Sequence, residues 1–464
     1  MHGQRGEERS GGARRDWRRS GDSSQVCTEW LRERGCRVHP VIGTKRWLSQ
    51  LTLEQSRVFH RLQSLAQAME RNPYGYDQQL TEGSTGMRSR RGLFVLTHLL
   101  GNATHSAGVV GAVRRLDWID PTIVPFGSDD YRAYASSLPT TRLGKAFEAA
   151  RCVAAKVQAE VPEPTSFDFI YVNALEFAVG LSGYTSNLSA IVSHDTTDRL
   201  AHQLASAKSR TALGRRLRPS LKSLVTGHAY RQAFANVDLF NPWSDWCAES
   251  LRRHYGIAEG RILVSPPGLD TALWSVEDRP PNDHLRLLFV GNDFLRKGGP
   301  LFMQIIASLH GEGVRGHVVS NDPALSEDDA VPGVTIHRGL NHHRLPELID
   351  IFRQSDLLVF PSFNDKLGLV LMEAAATGLP SIARDVGGIG SIVRHGETGI
   401  LMPYRSALPD WVEAIRSLLS NRTKLDEFRR RSRPRAVREF SIDAFTRRLE
   451  DSIYRVLQSS GAEP

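Results

Sequence analysis

Cysteine is scarce in this chain of 464 residues: Cys27, Cys36, Cys152 and Cys247 are the whole complement, and no CxxC pair occurs. That spacing argues against a disulfide framework or a zinc site and fits reduced, mostly buried thiols in a cytoplasm. A long apolar run is also missing. The most apolar stretch, 92–113, is interrupted by His98, Asn102, His105 and Ser106, so no transmembrane helix is predicted. The Arg- and Gly-rich opening, MHGQRGEERSGGARRDWRRSGD, is followed by no apolar core of a secretory signal. It reads as a disordered tail or an upstream start that is not part of the fold.

What is present is enough apolar material, 40% of residues against 24% charged, for two ordinary domains of a soluble globular protein. A net charge of +8 and a pI near 9.4 favour anionic partners without saying which. After residue 90, short β-branched runs alternate with segments of helical period. The runs LFVLT (93–97), TIVPF (122–126), FIYVN (169–173), AIVSH (190–194) and VDLFN (237–241) form one series. RLLFVG (286–291), GHVVS (316–320), VTIHRG (334–339), DLLVFPS (356–362) and PSIAR (380–384) form a second. Little polar alternation within them points to parallel strands covered on both faces. The class is therefore α/β, with two Rossmann-like, doubly wound domains facing a central cleft. The expected limits are an extension over 1–88 with a helix near 45–70, a first domain over 89–268 completed by a C-terminal helix in 441–464, and a second domain over 269–440.

Asp365 and Glu373 stand eight residues apart, with Gly368 between them. On one continuous helix they would be roughly 80° apart and share no face. A strand ending at Phe360, a loop carrying Asp365 and a helix starting near Gly368 is the better picture. The N–H groups at such a helix start, at Gly368 and Leu369, suit a phosphate. The alternative for an isolated pair is a capping carboxylate and a solvated helix Glu.

The surrounding order of motifs resembles glycosyltransferase family 4, the retaining GT-B enzymes also called glycosyl transferases group 1. It runs from Asp365 and Glu373 through GLP (378–380) and VGGI (386–389) to GETGIL (396–401). The resemblance covers roughly residues 185–457. It departs from the family where the first Glu is Asp365, one methylene shorter. LFVGNDFLRKGG (288–299) resembles the phosphate loop, with Gly291 after the strand and Lys297 as the lysine before a glycine; the family's usual Arg is Asn292 here, and Arg296 is positioned to supply that charge. HRGL (337–340), with Gly339, resembles the loop that makes backbone contacts to the base. His194, closing a strand in IVSHDTT, matches the family's cleft-edge histidine, with Asp195 either orienting the imidazole or capping the next helix.

The resemblance implies a nucleoside-diphosphate sugar as co-substrate, Glu373 on the ribose hydroxyls, Asp365 on the donor sugar, and front-face transfer with retention to an unidentified acceptor: polysaccharide, lipid-linked or small-molecule. No Asp-x-Asp occurs in the chain. Lys297, Arg296 and the helix N-terminus are therefore expected to stabilise the leaving diphosphate without a metal or other cofactor. A sugar-nucleotide epimerase of the same fold and a degenerate nucleotide-sugar-binding protein are the alternatives. The stretch 206–223, with Lys208, Arg210, Arg215, Arg216, Arg218 and Lys222 and no acid, reads either as a solvated helix face or as a peripheral contact with an anionic membrane or acceptor. Without interleaved aromatics it does not read as a nucleic-acid site.

Overall fold

A computed structural model describes residues 89–98, 102–137, 147–207, 221–275, 284–326, 329, 331–340 and 344–459. The expected tail, the helix over 45–70 and most of the basic stretch 206–223 lie outside the described residues.

Both strand series form parallel sheets. β1 (Arg90–Thr97), β2 (Ile119–Phe126), β3 (Phe169–Asn173), β4 (Ser189–His194) and β5 (Leu239–Pro242) pair in the order β2-β1-β3-β4-β5. β6 (Leu285–Val290), β7 (Val314–Val319), β8 (Val334–His337), β9 (Leu357–Phe360), β10 (Ser381–Arg384) and β11 (Gly399–Met402) pair in the order β11-β10-β9-β6-β7-β8. Every residue of β3, β5, β9 and β10 is buried, as helices on both faces of a parallel sheet require. β11 is absent from the expected series. Its four residues, GILM, begin at the last glycine of GETG, and a glycine-led run that short carries almost no periodicity.

Each sheet reverses its winding once, between β1 and β3 in the first and between β6 and β9 in the second. Crevices open outside the carboxyl ends of strands at such reversals, so topology alone directs attention to the segments after β6 and β9 and after β1 and β3. Two apolar clusters fill the first domain, around Val95, Ile170 and Phe240 on one face and around Phe94, Tyr171 and Leu239 on the other. Two more fill the second domain, around Leu288, Phe360 and Ala383 and around Leu287, Phe289 and Trp411. Leu204 and Trp243, from the first domain, belong to the same cluster as Leu367 and Ile389, which joins the domains beneath the cleft.

The chain crosses between the domains side by side. Leu269 donates its N–H to the Phe440 carbonyl (2.8 Å) and accepts from the Ile442 N–H (2.9 Å). Beyond that crossing the helix Ile442–Ser459 packs Phe445, Leu449 and Ile453 against the first sheet, although the helix before it, Arg422–Phe440, belongs to the second domain.

Candidate active site

In the second domain the chain does locally what the spacing of the carboxylates asks. β9 stops at Phe360, a loop carries Asp365, and the helix Leu369–Ala376 starts after Gly368, whose φ of 77° is a left-handed conformation that glycine adopts without strain. Leu369 is the first helical residue; the Leu371 N–H already donates to the Gly368 carbonyl (2.9 Å), while those of Leu369 and Val370 come too early in the helix for intrahelical partners. At the end of β6, Gly291 donates its N–H to Val319 (3.0 Å), and the turn that follows carries Arg296 and Lys297. Lys297 pairs with Asp365 and lies 5.0 Å from the centre of the Phe360 ring. Both charged groups are largely enclosed. The Arg296 guanidinium is anchored by Asp293 (2.5 Å) and the Asn364 carbonyl (2.6 Å), which leaves it 4.0 Å from Asp365. Arg296, Lys297 and Asp365 thus form one cluster at the β6/β9 reversal, while Asn292, in the place of the expected Arg, is a structural acceptor for the Asn321 N–H (3.0 Å).

Glu373 lies one turn into the helix. Burial raises its carboxyl to about pKa 7, opposed by the Lys297 charge. Gly339, also left-handed at φ 70°, gives its N–H to Asn321 Oδ1 (2.7 Å). Asn321 therefore ties the turn after β6 to the loop after β8, a clamp that no sequence motif announces.

Gly387 and Gly388 press against the Asp365 loop. A Cβ on Gly387 would sit 2.1 Å from the Asp365 carbonyl oxygen, and Gly388 donates its N–H to the Lys366 carbonyl (2.7 Å). The double glycine is there because two backbones touch.

On the facing side, His194 ends β4 and is buried. Neither ring nitrogen makes a hydrogen bond of normal geometry, and burial lowers its pKa to about 3, opposed by the Val192 carbonyl and assisted by the Lys366 charge. The imidazole is neutral at physiological pH. Asp195 does not orient it. Its carboxylate reaches across the cleft to Lys366 (3.1 Å), because the ammonium on the opposing loop is the stronger partner for a half-buried carboxylate. Asp245 and Ser391 add a second link between the domains, through hydrogen bonds from the Asp245 N–H to Ser391 Oγ and from that hydroxyl to the Asp245 carboxylate, both 3.1 Å.

Beside His194 lies a cavity of about 350 Å³, lined among others by Tyr131, Glu148, Glu176, Asp198, Tyr230 and Lys366. Ala174, on its wall, holds a φ of 116°, the positive-φ conformation that a side chain resists, and a hydrogen bond from its N–H to Ser193 (3.0 Å) ties it there. None of the wall residues except His194 and Asp195 stands out in the sequence. They run from Asn102 to Lys366 and only the fold brings them together.

Comparison with known proteins bears out the resemblance read from the motifs. Residues 284–421 match the family model described as Glycosyl transferases group 1. D-inositol 3-phosphate glycosyltransferase of Rhodococcus jostii is 32% identical over 200 residues, which is 38% of this chain and 44% of that protein. The chain thus spans about half the length of the curated relatives it matches. Among solved structures, sucrose-phosphate synthase from Thermosynechococcus elongatus superimposes with a TM-score of 0.62 at 18% identity, over 80% of this chain and all of the other. Anabaena HepE in complex with UDP-glucose gives 0.55 at 16% identity, over 79% and 99%. At those identities the likeness is one of fold: two Rossmann-like domains in the GT-B arrangement.

Proposed function

We propose, from the premise that residues 284–421 belong to the glycosyl transferases group 1, that the chain is a retaining glycosyltransferase using a nucleoside-diphosphate sugar. The observation that carries this is the Lys297, Arg296 and Asp365 cluster at the β6/β9 reversal, beside a helix N-terminus and the enclosed Glu373. In the reaction, an acceptor hydroxyl oxygen bonds to the anomeric carbon, the bond from that carbon to the β-phosphate oxygen breaks, and the acceptor proton leaves with the diphosphate. Charge accumulates on the β-phosphate. Lys297 and the N–H groups at Leu369 are arranged to stabilise it without a metal. To do so the diphosphate must compete with Asp365 for the Lys297 ammonium, which frees the Asp365 carboxylate to meet a sugar hydroxyl. The ionised Glu373 accepts hydrogen bonds from the ribose, and His194 and the cavity beside it receive the acceptor.

The buried free thiols Cys152 and Cys247 agree with a reducing cytoplasm, where sugar nucleotides are made. The basic stretch 206–223 would hold the protein to the inner face of an anionic membrane, a placement suited to cell-envelope or polysaccharide synthesis.

The test is to incubate the protein with UDP-, GDP- and ADP-sugars and a panel of acceptors that includes D-inositol 3-phosphate, the substrate for which relatives are named. Products are identified by mass and anomeric configuration, with and without EDTA. Transferred sugar with retained configuration and EDTA-resistant turnover is expected. Isomerised donor would make the protein an epimerase, binding without conversion would make it a nucleotide-sugar-binding protein, and magnesium-restored turnover would overturn the metal-free mechanism.

A further inference from the structure

The protein as a whole is basic, at +8, yet the described wall of the cavity beside His194 is acidic. Among the described residues its wall carries four carboxylates, Glu148, Glu176, Asp195 and Asp198, against the single ammonium of Lys366. That ammonium is already matched to Asp195 across the cleft (3.1 Å). Burial, with smaller contributions from the nearby Glu176 and Asp198, holds the Tyr230 phenol well above its ordinary pKa. The second observation concerns His194. Both its ring nitrogens are buried without a normal hydrogen bond, and the ring stays neutral, so it offers one acceptor and one donor and no positive charge. The residue borders the cavity while both nitrogens are covered, so a turn of the ring toward the cavity would give a ligand hydroxyl an unpartnered polar group to bond.

Resting on the transferase reading above, we infer that the part of the acceptor entering this cavity is an uncharged, polyhydroxylated ring, and that a phosphorylated acceptor is rejected. Carboxylates accept only; they pair with the hydroxyl donors of a polyol and repel a phosphate dianion, a like-charge juxtaposition that disfavours binding. Tyr131, whose hydroxyl donates to Glu148 (2.9 Å), and Tyr230 supply ring surface for the C–H faces of such a ligand. The volume, about 350 Å³, lies at the small end of ligand cavities and fits a single ring or a disaccharide better than a long chain. Discrimination here is by repulsion as much as by contact.

The experiment uses the full chain with its best sugar nucleotide. Acceptor-dependent release of nucleoside diphosphate is measured with myo-inositol, glucose, galactose and mannose and with the phosphate monoester of each. Nucleoside diphosphate binding is measured separately by calorimetry. Turnover with at least one neutral polyol exceeding its phosphate ester about tenfold or more is expected, and Glu176→Arg, a change at an exposed position, should shrink that ratio. A phosphate ester used faster than its parent polyol, acceleration by none of the neutral polyols, or a ratio unmoved by Glu176→Arg overturns the inference. Absence of nucleoside diphosphate binding is a different failure, since it removes the transferase reading itself.

Discussion

Glu373 gives the site a built-in pH dependence. Its carboxyl is pushed up to about 7 by burial, and in the proposed ribose role only the ionised form would accept two hydroxyls. Affinity for a ribonucleoside diphosphate should fall about tenfold per pH unit below 7 and level off above 8, which calorimetry between pH 5.5 and 8.5 reads directly. Glu373→Gln should flatten that profile and weaken binding at pH 8 by about 1.5–3 kcal/mol. Stability runs the opposite way. A carboxyl whose folded pKa is raised favours the fold while protonated, so its contribution is full below its ordinary pKa of 4.5 and is lost as pH rises through 7. At pH 8 the Gln variant should therefore be the more stable protein, by about 2–3 kcal/mol, in urea titrations. Asp365 makes a different prediction. Because it neutralises Lys297, Asp365→Asn should bind a nucleoside diphosphate several-fold more tightly while turning over the intact sugar nucleotide more slowly. Equal loss of both would mean that the pair serves only to hold the loop.

At the scale of elements, the two loops after β9 and β10 act as one object because their backbones are in contact. Gly387→Ala places a methyl group where the Asp365 carbonyl is, so the Asp365 loop must move; a shift of about 1 Å at a reacting centre costs on the order of 100-fold in turnover. Gly256→Ala is the control. That residue also has a positive φ, 69°, but meets nothing within 4 Å, so it should lose about 1 kcal/mol of stability and keep its activity. The loop–helix placement of Asp365 and Glu373 was legible because glycine, helix phase and strand punctuation all agree there. The paired state of Lys297 was not, since charge pairing depends on which loops the sheet order brings together. For the same reason Asp195 looked like a partner of its neighbour in sequence, His194, when its partner is 171 positions away. Tyr131, Glu148, Glu176 and Tyr230 carry no local signature at all, and a strand as short as β11 has too few residues to show a period.

For the whole molecule, the two ionic and polar links across the cleft, Lys366 with Asp195 and Ser391 with Asp245, are half-exposed and individually weak. The apolar floor at Trp243 and Leu367 and the paired crossings at Leu269 and Ser441 hold the domains more firmly. The crossings also make the order of assembly along the chain differ from the order in space. The first domain is built from two pieces of chain with the entire second domain strung between them, so the molecule is stapled. A protease site engineered between Ser275 and His284 should cut the polypeptide without releasing either half. The nicked protein should elute as one species under native conditions and as two fragments in denaturant, because the helix Ile442–Ser459 stays seated beneath the first sheet while covalently attached to the second domain. Two native peaks would mean that this helix contributes little to the first domain. A ribosome meets the same staple: the first sheet can form early in synthesis, yet its apolar face around Phe94 and Tyr171, covered in part by Val109 and Ala112, is not closed until the last helix has been made.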